Sequence, residues 1–180
     1  MKQIGLIILI IVFCFGCTNN FDLENPNVKQ FVLQLKNGTY NKYYLGENGE
    51  KLWTIFPKFT LKDIPLLIEL AKDTTLVNPC GHFPVNSISS IRPYRTDENG
   101  NIKGIMLGEY LLWSVETIIN NGEFPSLIPA LRQENNIQHI GLTGKEILVV
   151  REKYLNWWND CGRTGNISVT PLSGTGYWWR

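Results

Sequence analysis

The chain has 180 residues, of which 43% are hydrophobic and 18% are charged, and its formal net charge is +1. This share of apolar residues is large enough to form a packed core and excludes a chain that is disordered throughout. The nearly neutral charge gives no electrostatic footprint for nucleic acid, so we expect no nucleic-acid partner.

The N-terminal segment predicts export and lipid anchoring. After Lys2, residues 4–15 form an unbroken apolar run, which fits the roughly 7–15-residue core of a signal peptide and falls short of the ~20 residues of a spanning helix. Gly16 and Cys17 follow and resemble the lipobox of bacterial lipoproteins, although Cys14 stands where Leu or a similar residue is usual. The resemblance implies that Cys17 becomes the acylated N-terminus.

The domain organisation follows from this prediction. We expect a signal peptide over residues 1–16, a lipidated tether over residues 17–24 and a single helical domain over residues 25–180. The acyl chains on Cys17 would attach the protein to the cell membrane or outer membrane, facing the periplasm or the cell surface.

Two elements are predicted in the first third of the domain. Asn25 and Pro26 are suited to the N-cap and first position of a helix, and apolar residues at helical spacing extend it over residues 26–36. Between residues 41 and 56, aromatic and β-branched runs flank Asn48-Gly49, a pattern typical of a β-hairpin.

The remaining elements are mostly helical. A helix over residues 61–72 begins after a capping box formed by Thr60 and Asp63, and Ile64, Leu67 and Ile68 lie on its apolar face. Later segments are a loop-rich stretch over 74–104, helices over 106–120, 126–133 and 145–160, and a Gly- and Ser-rich tail over 167–180.

Part of this pattern resembles HEAT-type repeats, which are built from pairs of antiparallel helices. Residues 64–73 resemble a first helix and residues 108–115 its partner, while residues 124–131 and 145–160 resemble a second pair. The resemblance implies a mainly α fold with antiparallel helix pairs in a HEAT-like stack, beside the small β-hairpin. Residues 74–104 are longer than the usual turn within a repeat, and two repeats are fewer than a solenoid needs.

The cysteines and histidines allow one covalent cross-link and give little support for a metal. Cys80 and Cys161 could form a disulfide in an oxidising compartment, or remain two separate buried thiols. Cys80 and His82 are two residues apart, but zinc needs three or four ligands in paired spacings, and His139 has no Cys near it in sequence. We expect neither a metal nor a cofactor.

No recognisable catalytic set is present. Glu109 and Glu116 lie seven residues apart on one predicted helix, so they share a face at a separation of about 10 Å, just beyond the roughly 6.5–9.5 Å of inverting glycosidases. We interpret Glu109 as a partner of backbone groups or of Arg92 or Arg95. A G-x-S-x-G elbow and a phosphate-binding glycine loop are both missing, so we do not expect an enzyme.

The tryptophans are the best indication of a binding function. The adjacent pairs Trp157-Trp158 and Trp178-Trp179 could stack on sugars or anchor a protein partner, with core packing as the alternative. The whole chain also resembles small lipoproteins of Gram-negative anaerobes that are grouped in families of unknown function. We expect a lipid-anchored envelope protein that binds another protein through a helical surface; the alternatives are a glycan-binding module and an immunity-type inhibitor of a periplasmic toxin.

Overall fold

The computed structural model describes residues 21–77, 95–96, 102–126, 129–134, 142–160, 162–165, 167 and 169–179. Within these residues the fold is mixed α/β, with helices and short strands interleaved along the chain. The elements are α1 (Val28–Asn37), β1 (Tyr43–Leu45), β2 (Lys51–Thr54), α2 (Ile64–Leu70, preceded by the 3₁₀ turn Leu61–Asp63), β3 (Leu76–Val77), β4 (Arg95–Thr96), β5 (Ile102–Met106), α3 (Leu107–Ile119), β6 (Leu131–Gln133), α4 (Gly144–Asp160, followed by the 3₁₀ turn Gly162–Thr164) and β7 (Tyr177–Trp179).

Helix α1 confirms the first predicted helix but starts two residues later than expected. The side chain of Asn27 is the N-cap and accepts a 3.0 Å hydrogen bond from the backbone N–H of Gln30. Asn25 cannot fill this role because it belongs to the preceding turn, where its own N–H donates to the Asp22 carboxylate at 3.1 Å. The helix ends at Gly38, whose φ of +64° suits a residue without a Cβ.

The predicted hairpin is also confirmed. Strands β1 and β2 pair in antiparallel fashion, with Tyr43 opposite Thr54 and Leu45 opposite Lys51. Gly49 adopts a φ of +78° in the connecting turn, a conformation that the Asn-Gly pair accommodates at low cost.

Helix α2 has the predicted cap and the predicted buried face. The backbone N–H of Thr60 donates to the Asp63 carboxylate at 2.8 Å, which is one half of a capping box. Ile64, Leu67 and Ile68 are all buried against the rest of the core. Local sequence pattern was sufficient here because both the cap and the apolar stripe lie within one short segment.

Helix α3 is the centre of the molecule. It contacts both α2 and α4, and all its residues except Ile118 are buried. At its start the backbone passes very close to the end of α2, since a Cβ added to Gly108 would lie 2.2 Å from the carbonyl oxygen of Ala71. The N–H of Gly108 donates to the Asp73 carbonyl oxygen at 2.8 Å, which fixes this approach.

Two small sheets lie beside these helices. Strands β3, β5 and β4 form one sheet in that order, with Val77 opposite Ile105. Strands β6 and β7 form the other, with Leu131 opposite Trp179 and Gln133 opposite Tyr177. The tail therefore returns to the body of the domain through β7.

The β6–β7 pair corrects the predicted helix over residues 126–133, since residues 131–133 are extended and hydrogen-bonded to β7. A second HEAT-like helix pair would need a helix here, so the HEAT-like stack is not confirmed. Helix α4 instead packs on both α2 and α3. In the part of the chain that the structure describes, no helix is long and apolar enough to cross a membrane.

Candidate functional site: an aromatic cleft beside the central helix

The described part of the molecule carries a cleft of about 620 Å³ between the extended chain that follows the hairpin and the end of α3. This volume lies in the range of small-molecule and side-chain binding pockets. The lining residues are Tyr44, Thr54, Phe56, Pro57, Lys58, Phe59, Thr60, Leu61, Thr117, Ile118, Asn121, Gly122 and Phe124.

Aromatic rings form the inner wall of the cleft. Phe56 makes edge-to-face contacts with Phe59 at 5.8 Å and with Phe124 at 5.8 Å between ring centroids. Phe124 in turn stacks on the buried ring of Trp113 at 4.6 Å, and the Trp113 indole N–H donates to the Ser126 hydroxyl at 3.0 Å. Each ring has defined neighbours, so the wall is held in place before any ligand arrives.

The extended chain on one side of the cleft is held by hydrogen bonds to segments that precede it. The Tyr40 hydroxyl donates to the Ile55 carbonyl oxygen at 2.5 Å, and the Lys58 N–H donates to the Leu23 carbonyl oxygen at 2.9 Å. These two bonds fix residues 55–58 against the N-terminal part of the domain, although this stretch is not itself a strand.

The opposite side is built by the end of α3. Thr117 and Ile118 are on its last turn, and the chain then leaves the helix through Asn121 and Gly122, with φ values of +56° and +92°. The Gly122 N–H donates to the Thr117 carbonyl oxygen at 2.8 Å, which closes the helix end. This turn brings Phe124 back over the cleft.

The lips of the cleft combine apolar and polar groups. Tyr44 and Leu61 are both exposed at its edge, and hydroxyl and amide groups come from Thr54, Thr60 and Asn121. Among the described lining residues no carboxylate, thiol or imidazole is present. The lining therefore offers an apolar contact surface with a few hydrogen-bonding groups around it.

The two glutamates of α3 lie in the core, away from the cleft lining. Glu109 accepts a 2.8 Å hydrogen bond from the Leu131 N–H, in line with its interpretation as a partner of backbone groups. Glu116 accepts a 2.7 Å bond from the Tyr154 hydroxyl, which itself accepts one of 3.1 Å from the Trp179 indole N–H. Burial raises the pKa of Glu116, while the bonds from Tyr154 and Trp179 oppose that rise.

The predicted tryptophan pairs do not line the cleft either. Trp157 is buried and its indole N–H donates to the Val169 carbonyl oxygen at 2.6 Å, while Trp158 is half-buried beside it at 6.0 Å. Trp179 is also half-buried, whereas 41% of Trp178 is exposed. The candidate binding tryptophans are therefore divided between core positions and one exposed ring.

Several predicted site residues fall outside the described part of the chain. These are Cys17, Cys80, His82, His139 and Cys161. Among the residues that the structure does describe, no group of three or more His, Cys, Asp or Glu side chains could hold a metal ion.

Sequence reasoning missed the cleft because its rings come from separate segments. A weak signal was the pairing of Phe with Pro, which occurs at Phe56-Pro57, Phe83-Pro84 and Phe124-Pro125. Proline favours extended backbone in the residue before it, so these rings are not expected inside a helix. The first and third pairs supply rings of the cleft, but nothing in the sequence separates them from the second pair.

Comparison with known families assigns this mixed α/β domain to one family. Residues 22–180 match the family described as a domain of unknown function, DUF4943, and the chain belongs to that family. The match covers every element of the fold and begins just before α1. No curated protein and no solved structure matches the chain.

Proposed function

We propose that this protein is a lipid-anchored component of the cell envelope that binds another protein through the aromatic cleft. The observation that carries the proposal is the cleft itself: an open, preformed aromatic wall with exposed apolar lips. Preformed apolar pockets with a few polar groups are the usual form of binding sites.

The chemistry of the cleft indicates what kind of segment it accepts. Phe56, Phe59 and Phe124 offer ring surface to a large apolar side chain, because aromatic and aliphatic groups bury well against such faces. The side-chain amide of Asn121 lies at the same cleft and suits the backbone groups of a peptide. An extended segment carrying Leu, Met or Phe is the expected occupant.

The binding proposal is tested by photo-cross-linking in the native host. A photoreactive amino acid placed at Lys58, an exposed lining residue outside the hairpin, should give a discrete adduct with one partner protein, whereas the same probe at Leu148 on α4 should not. Adding Ile118→Glu, which puts a charge into the cleft, should abolish the Lys58 adduct, and Leu148→Glu should leave it intact. Identical adducts from both probe positions would contradict the proposal.

The anchor is tested separately through Cys17. The Cys17→Ser protein should leave the membrane fraction and should no longer incorporate a labelled fatty acid. Acyl label that persists at another residue in Cys17→Ser would show that the lipobox had been wrongly assigned.

Glycan binding remains the second candidate, because the exposed Trp178 ring presents a flat surface of the kind that stacks on sugars. Trp178→Ala would then abolish retention on immobilised envelope glycans, and Ile118→Glu would not. An immunity-type inhibitor is a special case of the leading proposal, in which the protein bound at the cleft is a periplasmic toxin.

A further inference from the structure

We propose that the hairpin and the adjacent lip of the cleft form a second membrane contact, which docks the domain on the lipid surface that holds Cys17. The docking patch consists of Tyr44, Leu52 and Leu61. The inference rests on the lipid anchor of the proposed function and adds to it the orientation of the domain.

The docking patch is a cluster of large side chains that the domain leaves in solvent. The exposed fractions are 48% for Tyr44, 45% for Leu52 and 39% for Leu61. Tyr44 and Leu52 belong to the two strands of one hairpin, and Leu61 lines the same cleft as Tyr44. Leu45 and its partner Lys51 point to the opposite face of the hairpin, because side chains alternate along a strand. Neighbouring exposed apolar side chains of this kind mark a surface that contacts something else.

The chain becomes part of the core very soon after the anchor. Phe21 is only 2% exposed, and its ring packs on Tyr40 at 5.5 Å and on Phe31 at 5.8 Å. Three residues lie between it and Cys17, and at about 3.3–3.6 Å per residue the four steps from Cys17 to Phe21 span no more than roughly 14 Å even in a fully extended chain. The body of the domain therefore cannot move far from the membrane surface.

The segment that leads to the anchor lies beside the hairpin and the cleft. Leu23 accepts a backbone hydrogen bond from Lys58, and the Glu24 carboxylate pairs with the Lys58 ammonium at 2.7 Å. The ring of Tyr40, which packs on Phe21 at 5.5 Å, lies three residues before β1, so the root of the hairpin is next to the anchored segment.

The composition of the patch fits a lipid surface. Tyrosine and leucine partition into the membrane interface, and lysine can extend its ammonium group to the water beside them, as Lys62 would here. The exposed acids Glu47 and Glu50 offset the lysines of this region, so burial of apolar area supplies the affinity and net charge does not. The short tether raises the effective concentration of the patch at the membrane, so that a weak contact becomes well populated.

One consequence concerns the partner. With the patch on the membrane, the cleft opens at the lipid surface, and the segment it binds must lie there too. A juxtamembrane stretch of a membrane protein satisfies this condition.

The test uses the acylated full-length protein in vesicles of phosphatidylethanolamine and phosphatidylglycerol that contain a diazirine-bearing phospholipid. Peptides cross-linked to lipid are mapped by mass spectrometry. We expect adducts on residues 43–54 and 61 to exceed those on residues 148–149 several-fold, although Leu148 and Val149 are also exposed. Replacing phosphatidylglycerol by phosphatidylcholine should leave this ratio unchanged.

Matched double variants distinguish a specific effect of the docking patch from the effect of changing any exposed apolar side chains. Tyr44→Glu with Leu52→Glu should remove most hairpin adducts, whereas Leu148→Glu with Val149→Glu should not, and thermal unfolding checks that both variants fold. Even labelling of the two regions, or equal effects of the two double variants, would overturn the docking proposal while leaving the anchor intact. A full-length protein without acyl label would overturn the anchor and the docking together.

Discussion

The two sides of α3 are stabilised by different kinds of contact. On the side of α1, one ring is central: Phe31 contacts Phe21, Tyr40 and Phe59 at 5.2–5.8 Å and Tyr110 of α3 at 6.3 Å. These contacts are apolar, and the free energy that they contribute depends on the shape and the buried area of the rings rather than on single atoms.

On the side of α4 and the β6–β7 sheet, buried hydrogen bonds supplement the apolar packing. Glu109 holds the backbone of β6 through Leu131, and Glu116 joins α3 to Tyr154 of α4 and, through it, to Trp179 of β7. Each bond depends on one acceptor or donor atom, and its loss leaves a buried polar group without a partner. The contribution of the aromatic side to stability should therefore change little with pH, whereas the contribution of the hydrogen-bonded side should change.

The largest effect is expected on the aromatic side. Phe31→Ala should lower the free energy of unfolding by about 3–5 kcal/mol, because it removes a fully buried ring and leaves a cavity between its neighbours. Leu33→Ala is a matched control on the same helix; Leu33 is exposed, so its loss should cost less than about 0.5 kcal/mol. Urea denaturation measures both, and equal effects would contradict the buried face assigned to α1.

The next largest effect tests the hydrogen-bonded side at Glu109. Glu109→Ala should cost about 2–3 kcal/mol, because the buried Leu131 N–H is left without its acceptor. Glu109→Gln keeps a carbonyl acceptor at a similar place and should recover part of this loss. If the two substitutions had the same effect in denaturation, a carbonyl acceptor at this position would contribute nothing, which would contradict the role assigned to the bond from the Leu131 N–H.

Tyr154→Phe isolates a single hydroxyl group. It removes the donor to Glu116 and the acceptor for Trp179, and should cost about 1–3 kcal/mol with little change in packing. Near-ultraviolet circular dichroism should also change, because the Trp179 indole loses its partner. An unchanged stability would mean that Glu116 and Trp179 find other partners.

The smallest chemical change, Glu116→Gln, tests the pH dependence. In the folded protein the pKa of Glu116 is raised above the usual value of 4.5. The protonated carboxyl group therefore stabilises the fold fully when the pH is below that value. This stabilisation is lost as the pH rises through the raised pKa. Wild-type protein should therefore lose stability relative to Glu116→Gln between acidic and neutral pH. Parallel stability profiles for the two proteins would show that Glu116 does not titrate in this way.

The sequence predicted those features whose signals are local. The caps at Asn27 and Thr60 lie within one or two residues of their predicted places, and the apolar stripes of α1, α2, α3 and α4 are each contained in one segment. The hairpin was predictable because its turn residues adjoin both strands.

The missed features all depend on contacts between distant segments. Nothing near Leu131 indicates that it pairs with Trp179, and a short apolar run there fits a helix as well as a strand. The cleft likewise joins residues 54–61 to Ile118 and Phe124, which only the path of the whole chain brings together. The role of Glu116 was missed for the same reason, because its partner Tyr154 is on another helix.

The β6–β7 pairing also bears on the order in which the chain folds. Residues 46–50 close the β1–β2 hairpin, whereas residues 134–176 separate β6 from β7, so the entropic cost of closing the second loop is larger. Because α4 lies within that loop, its docking on α3 reduces the length of flexible chain that must still be closed before β7 can pair with β6. We therefore expect the hairpin to form early in folding, α4 to dock next and β7 to pair last, so that a burial-sensitive signal from Trp179 would report the final step of refolding.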